Sequence, residues 1–208
     1  MKVLVACEFS GTVRRAFRAR GHDAWSCDLL PASDGSPHHI QGDARDRLGD
    51  GWDVLISHPP CTRLCNSGVR WLHERNLWAD MREACGLFLA FLNAPVPRVA
   101  VENPVMHGHA LAIIGRGPDF TVQPWQFGHG EIKRTCFWTR GLPPLRPTSI
   151  VPGREARVHR AAPGPDRWAL RSLTYPGIAE AMAEQWGDET AMLTLTKQTG
   201  FPILASAG

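Results

Sequence analysis

Two residues with catalytic potential each follow a segment that the sequence predicts as a buried β-strand. Cys61 follows the apolar segment 52–57 after a turn with two consecutive prolines, and Glu102 follows the short apolar segment 98–101. The prolines stiffen the turn and fix the direction of the thiol. A cysteine there is typical of a nucleophile, and a nearby glutamate could hold or protonate a polar substrate. The alternative interpretations are that Cys61 fills apolar space and that Glu102 is a surface acid.

A glycine turn after the first predicted strand could hold a ligand. Gly11 lies between strand 2–7 and helix 12–20, and Asp28 follows the second predicted strand. Glycine allows the backbone to approach a ligand closely. Asp28, and Asp43 further along, are placed to hold ribose hydroxyls. Dinucleotide and S-adenosylmethionine sites share this arrangement, although an ordinary α/β turn also accounts for one glycine.

The order of the predicted elements indicates a doubly wound, Rossmann-like α/β sheet. The first 28 residues spell strand, glycine turn, helix, strand and acid, which is the first βαβ unit of such a sheet. Further patterns predict helices at 69–92 and 107–114 and strands at 120–125 and 135–138. The polar residues that end parallel strands meet at the carboxyl edge of the sheet, where ligands bind in open α/β folds.

The length of 208 residues predicts a single domain with three parts. Residues 1–138 form the Rossmann-like catalytic core. Residues 139–187 form an irregular, proline-rich basic segment and a closing helix at 176–186, both packed on the core. Residues 188–208 are weakly patterned, and we expect a loose tail there.

The charge distribution favours a polyanionic partner. Residues 131–171 carry nine Lys or Arg and three acids, a net of +6, whereas the whole chain carries +3. Such a segment suits a nucleic-acid-binding face, and an ordinary solvated basic surface is the alternative. A composition of 43% hydrophobic and 21% charged residues excludes a disordered or coiled-coil chain. No apolar run reaches the roughly 20 residues of a membrane span.

The cysteines and histidines do not predict a metal site. His58, Cys61, Cys65 and His73 lack a standard zinc spacing, and the zinc deaminase pattern is incomplete. The six cysteines are dispersed and no secretory signal precedes them, so we expect reduced thiols and a cytoplasmic location, in the host cell if a phage encodes the protein.

The ordered set of motifs resembles the cytosine-C5 DNA methyltransferase family. The likeness spans about residues 1–140, and the whole chain also resembles small phage-type proteins described as cytosine methyltransferase-like, which share the stretches at 65–68 and 123–128. The matching motifs, in family order, are Phe9-Ser10-Gly11, Asp28, Asp43, Pro60-Cys61 and Glu102-Asn103.

The resemblance implies a covalent mechanism on cytosine with S-adenosylmethionine as cofactor. Cys61 would attack C6, Glu102 would hold or protonate N3, and Arg134 would contact the base as the third catalytic residue. The implied cofactor-binding residues are Glu8, Phe9, Ser10, Gly11, Asp28, Asp43 and Pro59. The implied substrate-binding residues are Asn103, Lys133 and Ser67.

The substrate and the class of function stay open at this point. The chain has room for only about 30–50 irregular residues where the family carries a large target-recognition region, so DNA, including single-stranded DNA, and a pyrimidine nucleotide both remain. The alternatives are Cys-dependent modification of a pyrimidine nucleotide and a non-catalytic nucleic-acid-binding protein on a methyltransferase fold. An amino-methyltransferase is disfavoured because the turn at 58–61 lacks that class's acid and aromatic residue.

Overall fold

A seven-stranded mixed sheet forms the centre of the molecule. The computed structural model describes residues 1–160, 164 and 171–188. Across this part of the chain the strand order is β3-β2-β1-β4-β5-β7-β6. The strands are β1 (Lys2–Ala6), β2 (Asp23–Asp28), β3 (His39–Gln41), β4 (Val54–Ser57), β5 (Arg98–Asn103), β6 (Phe120–Val122) and β7 (Thr135–Arg140).

Strand directions confirm the predicted fold class. Strands β1 to β5 pair in parallel, and β7 lies antiparallel between β5 and β6. This order, with one reversed strand, is that of a doubly wound, Rossmann-like sheet. The strand order reverses between the neighbouring strands β1 and β4, and ligands bind at such a switch point in open α/β sheets.

The sheet is buried on both faces, and the middle positions of its central strands are apolar. Val3 and Val5 of β1 belong to one hydrophobic cluster, while Leu4 and Ala6 belong to the cluster on the opposite face. Side chains alternate between faces along a strand, so a continuous apolar run is what a doubly covered parallel sheet requires.

Helices cover the two faces. One cluster contains residues of α1 and α6, and the other contains residues of α2, α3 and α4. Helix α6 begins at Pro176, whose fixed φ and missing N–H suit the first helical position. The helices are α1 (Thr12–Ala19), α2 (Val69–Glu74), α3 (Trp78–Leu92), α4 (Gly108–Ile114), α5 (Arg157–Arg160) and α6 (Pro176–Gly187). No helix among the described residues is long and apolar enough to cross a bilayer.

Two element predictions were wrong in detail. Strand β6 ends at Val122, and a 3-10 turn at Pro124–Gln126 replaces the rest of the predicted strand, because Pro124 has no N–H to donate to a ladder. Trp125 therefore lies outside the sheet. The predicted helix 69–92 is two helices, and between them Asn76 adopts the left-handed conformation with φ of 51°.

The beginning of the basic segment packs on the core. Leu142 and Leu145 are buried in the cluster that holds α1 and α6. The indole of Trp186 donates a hydrogen bond of 3.0 Å to the carbonyl of Pro143. Gln185 of α6 exchanges two hydrogen bonds with the backbone of Arg146, at 2.8 and 2.9 Å. The predicted loose tail, apart from residue 188, lies outside the described residues.

Candidate active site

A cleft of about 110 Å³ lies at the carboxyl edge of the sheet. Phe9 and Ser10 reach it from the turn after β1, and the 58–61 turn reaches it from β4. Glu102 near the end of β5, Lys133 before β7 and the segment 171–174 complete the lining described here. The cleft therefore gathers segments that lie far apart in the sequence.

The turn that carries Cys61 is anchored at both ends. The His58 backbone N–H donates to the carbonyl of Ala6 at 3.0 Å, and the Asn103 side-chain amide donates to the carbonyl of Pro59 at 3.0 Å. After the turn, the N–H groups of Leu64 and Cys65 both donate to the carbonyl of Cys61 at 2.9 Å. These bonds, with the two prolines, hold the half-buried thiol at the wall of the cleft.

Glu102 is paired with a histidine that sequence reasoning considered only as a metal ligand. The Nδ1 atom of His58 lies 3.2 Å from Oε2 of Glu102. Burial alone would raise the pKa of Glu102, but the hydrogen bond and charge of His58, together with the charge of Lys133, hold the pKa below its ordinary value. Glu102 is therefore ionised at neutral pH.

The interaction between Cys61 and Cys65 shifts the pKa values of the two thiols in opposite directions. The interaction with Cys65, burial and the charge of Glu102 raise the pKa of Cys61, while Lys133 opposes the rise. The interaction with Cys61 lowers the pKa of Cys65 to about 5, and the Ser67 hydroxyl, 3.1 Å from the sulfur of Cys65, contributes. Cys61 therefore keeps its proton at rest, and it must lose that proton before it can act as a nucleophile.

The side chain of Glu8 caps the start of α1. Its carboxylate accepts hydrogen bonds from the backbone N–H groups of Val13 at 2.6 Å and Arg14 at 3.2 Å. These are donors that the first turn of a helix otherwise leaves unpaired. Burial raises the pKa of Glu8, while these hydrogen bonds and the charge of His58 oppose the rise. Although Glu8 contributes to the wall of the cleft, its side chain has a structural task.

Gly11 is required by the backbone and by a buried arginine. Its φ of 66° lies in the left-handed region, and a Cβ there would overlap the guanidinium of Arg14 and touch Asp34. Arg14 is 1% exposed and pairs with Asp34. The helical pattern at 12–20 gives no indication of this pair. The glycine thus makes room for the protein's own side chain, and it lies outside the described lining of the cleft.

Asp28 and Asp43 lie on the β2–β3 side of the cleft. Asp28 accepts a hydrogen bond of 2.9 Å from the Leu30 backbone N–H, and Asp43 caps the 3-10 turn Ala44–Arg47 through the N–H of Arg45. Both carboxylates act on Cys7, which lines the cleft: burial, then Asp28 and Asp43, raise the pKa of Cys7 to about 12. The two acids therefore adjoin the cleft without forming its described wall.

The remaining predicted residues divide between the cleft and its supports. Pro59 and Lys133 line the cleft, whereas Arg134 is exposed and lies outside its described lining. Lys133 donates to the carbonyl oxygens of Arg171 at 2.9 Å and Leu173 at 3.1 Å. Asn103 is fully buried behind the turn, and Ser67 contacts Cys65 rather than the cleft.

Three features of the site were missed by sequence reasoning. His58 directly precedes the Pro-Pro-Cys turn, and that position was the one available signal for its partnership with Glu102. Cys7 has a φ of 57°, which is uncommon for a residue other than glycine and often marks a functional site. The segment 171–174 has no motif that could have indicated its place over the cleft. Within the described residues, no group of three His, Cys, Asp or Glu side chains is arranged to hold a metal ion.

Comparison with known proteins gives matches among solved structures alone. No protein-family model matches the chain, and no curated protein matches it. A protein described as a DNA modification methyltransferase, encoded within an E. coli prophage, aligns with a TM-score of 0.46 and 16% identity over 78% of this chain and 55% of its own.

Two further structures align over similar lengths. The Entamoeba histolytica methyltransferase EhMeth aligns with a TM-score of 0.48 and 14% identity over 75% of this chain and 57% of its own. A mutant of Spodoptera frugiperda DNMT2 aligns with a TM-score of 0.40 and 13% identity over 74% of this chain and 55% of its own. The chain thus spans a little over half the length of each structure that it matches.

Proposed function

We propose that this protein transfers a methyl group from S-adenosylmethionine to C5 of cytosine in DNA through a covalent Cys61 adduct. The observation that carries the proposal is that Cys61 and Glu102 line one cleft together with Phe9 and Ser10 of the turn after β1. A nucleophile, an acid–base group and a turn suited to a cofactor at the carboxyl edge of a Rossmann-like sheet are the parts that this reaction needs.

Cys61 and Glu102 divide the activation of the ring between them. The Cys61 thiol gives up its proton to water, the thiolate forms a bond to C6, and the displaced electron pair moves onto the ring, where a proton delivered through Glu102 to N3 stabilises it. C5 then becomes nucleophilic and would accept the methyl group that S-adenosylmethionine supplies. Loss of the C5 proton to water, of the N3 proton back to Glu102 and of the thiolate releases the product, so a transient adduct replaces one difficult step with easier ones. General acid help of this kind contributes about 10²–10⁴ in rate.

The residues around the turn fit S-adenosylmethionine, which would supply the methyl group. Phe9 and Ser10 face the cleft beside Cys61, and Asp28 and Asp43 lie close enough to Cys7 to raise the pKa of its thiol. We infer that these four residues hold the cofactor, with the two carboxylates serving its hydroxyl groups. Glu8 supports them by fixing the start of α1.

Pairs of exposed arginines with half-buried tryptophans support a nucleic-acid substrate. The guanidinium carbons of Arg70 and Arg75 lie 4.1 and 4.2 Å from the ring centre of Trp71, on the segment that follows Cys61. In the basic segment, Arg154 lies 3.8 Å above Trp125. Such pairs can contact phosphates and stack on unpaired bases. A base must leave the duplex stack before Cys61 can reach C6, which is easiest in single-stranded DNA.

The test is a mechanism-based trap. The protein is incubated with labelled S-adenosylmethionine and 5-fluorocytosine in single-stranded DNA, in duplex DNA and as a free nucleotide. Fluorine at C5 cannot leave as a proton does, so the thiol adduct accumulates. We expect a labelled covalent adduct on DNA that Cys61→Ala abolishes and Cys85→Ala, at a buried thiol outside the cleft, preserves.

The outcomes separate the competing functions. An adduct with the free nucleotide alone, independent of S-adenosylmethionine, would indicate Cys-dependent nucleotide modification. DNA binding without an adduct or cofactor binding would indicate a non-catalytic nucleic-acid-binding protein. Either result contradicts the proposed methyl transfer.

A further inference from the structure

His58 lies between the two buried carboxyl groups of the cleft. Its Nδ1 atom is 3.2 Å from Oε2 of Glu102, and the side chains of His58 and Glu102 are 10% and 15% exposed. The charge of His58 also acts on Glu8, which lies in the turn after β1. Among the described residues, the buried Nε2 atom of His58 has no hydrogen-bond partner. Nδ1 is therefore the ring nitrogen that makes a hydrogen bond within this part of the chain, and its partner is Glu102.

No other described group around Glu102 is free to donate a proton to its carboxylate as His58 can. Lys133 approaches from the segment before β7, but its ammonium donates to the carbonyl oxygens of Arg171 and Leu173. The negative charge of Glu102 raises the pKa of Cys61, on the 58–61 turn, and of Cys136, on β7. Both thiolates would be repelled by the ionised carboxylate. The Glu8 carboxylate already accepts hydrogen bonds from backbone N–H groups at the start of α1.

The state of Glu102 creates a chemical requirement. Its pKa is held low, chiefly because His58 outweighs the effect of burial, so the resting carboxyl group is ionised. An ionised carboxylate accepts hydrogen bonds but has no proton to donate. Addition of a thiolate to C6 of cytosine places an electron pair on the ring that a proton at N3 must neutralise. The proton therefore has to come from a group next to Glu102.

We propose that His58 is a positioning residue for Glu102 that fixes one carboxyl oxygen and stores the proton which Glu102 passes to the substrate ring. This inference rests on the proposed function. As Cys61 bonds to C6, the proton on Nδ1 of His58 moves to Oε2 of Glu102, and Oε2 then passes the same proton to N3, which leaves Glu102 ionised and His58 neutral. When the thiolate leaves, the N3 proton returns through Glu102 to His58, so none is consumed.

Replacement of His58 by asparagine separates proton storage from orientation. Asn has an N–H near the position of Nδ1, so His58→Asn can still hold Glu102 but cannot carry a transferable proton. We expect His58→Asn to slow formation of the 5-fluorocytosine adduct on the order of 10²-fold, with little change in DNA affinity. The pH dependence of adduct formation should differ between the wild type and His58→Asn, because only the wild type holds a transferable proton beside Glu102. His38→Asn, outside the cleft, should match the wild type.

A second measurement does not depend on activity. In protein with ¹³C-labelled glutamate carboxyl groups, the signal absent from Glu102→Gln identifies Glu102. Because His58 holds the pKa of Glu102 down, His58→Ala should raise that pKa, and an imidazole with a merely structural role would leave it unchanged.

The results distinguish the failure of this inference from the failure of the proposed function. A normal adduct rate and pH profile in His58→Asn, or an unmoved Glu102 titration in His58→Ala, overturns the role of His58 and leaves methyl transfer intact. If the wild-type protein forms no adduct, the proposed function fails and this inference fails with it.

Discussion

The side chain of Asn103 donates a hydrogen bond of 3.0 Å to the carbonyl oxygen of Pro59. Asn103 follows Glu102 on β5, and Pro59 is two residues before Cys61 on the turn after β4. One buried hydrogen bond therefore sets the position of the nucleophile relative to the carboxylate. The Glu-Asn pair of the sequence thus contains one residue that faces the cleft and one that holds the cleft's opposite wall.

Loss of this hydrogen bond should reduce both stability and activity. Asn103→Leu leaves the carbonyl of Pro59 without its partner, which costs about 1–3 kcal/mol. We expect urea denaturation to show that loss and the rate of Cys61 adduct formation to fall about tenfold or more, because small displacements of reacting groups are costly. Asn93→Ala, at the exposed end of α3, is the matched control and should change neither. Unchanged values in Asn103→Leu would contradict the positioning role.

The pair between buried Arg14 and partly exposed Asp34 should contribute to stability. Asp34→Asn removes the countercharge from a guanidinium that is 1% exposed, and leaving a buried donor without its charged partner costs about 1–3 kcal/mol. Asp50→Asn, in an exposed pair with Arg47, should cost less than about 1 kcal/mol. Denaturant unfolding of both variants measures the difference. Equal effects would show that Arg14 finds another partner.

Acid should remove the contribution of the same pair over a defined pH range. Hydrogen bonds from Arg14 and Arg15 outweigh the effect of burial and lower the pKa of Asp34 from 3.8 to about 2. A carboxyl group with a lower pKa in the folded protein stabilises it fully above the unfolded pKa and loses that effect as pH falls through the folded pKa. The difference in unfolding free energy between the wild type and Asp34→Asn should therefore shrink between about pH 4 and pH 2. A constant difference would contradict the assigned shift.

Two glycine-to-alanine substitutions should act in opposite directions. Gly11→Ala places a Cβ against Arg14 at a φ of 66°, so we expect it to destabilise the protein by about 1–3 kcal/mol. Gly86 lies inside α3, and a Cβ there meets nothing within 4 Å. Gly86→Ala should stabilise the protein by about 0.5–1 kcal/mol. Thermal unfolding distinguishes the two, and a neutral Gly11→Ala would exclude the crowding described here.

Lys133 should hold the segment 171–174 over the cleft. Lys133→Met removes the hydrogen bonds to the carbonyl oxygens of Arg171 and Leu173. We expect faster hydrogen exchange in peptides that contain 171–174, while exchange in the central strands is unchanged. Lys2→Met, at the far side of the sheet near Trp52, should leave 171–174 as in the wild type. Equal exchange in Lys133→Met would show that other contacts hold the segment.

The order of the first elements could be predicted because each has a local signature, whereas the short strand His39–Gln41 was not predicted. The strand that begins at Lys2, the helix that begins at Thr12 and the strand that ends at Asp28 are each encoded by a short run of apolar or amphipathic residues. The end of β6 was harder to predict, because the apolar run continues past Pro124 while the hydrogen-bonding ladder does not. Chain interruptions such as Asn76 depend on one backbone conformation that the composition of 69–92 does not reveal.

The sequence by itself determined that Cys61 and Glu102 would lie at the same edge of a Rossmann-like sheet, because the carboxyl ends of parallel strands share one edge. Tertiary structure alone decided which side chains meet there. The contacts of His58 with Glu102 and of Asn103 with Pro59 each span 44 residues, and that of Lys133 with Arg171 spans 38. These contacts depend on strand register and side-chain direction, and neither leaves a periodic pattern in the residues concerned. The sequence therefore identified candidate catalytic groups, while packing assigned their partners, their protonation and the support of the cleft.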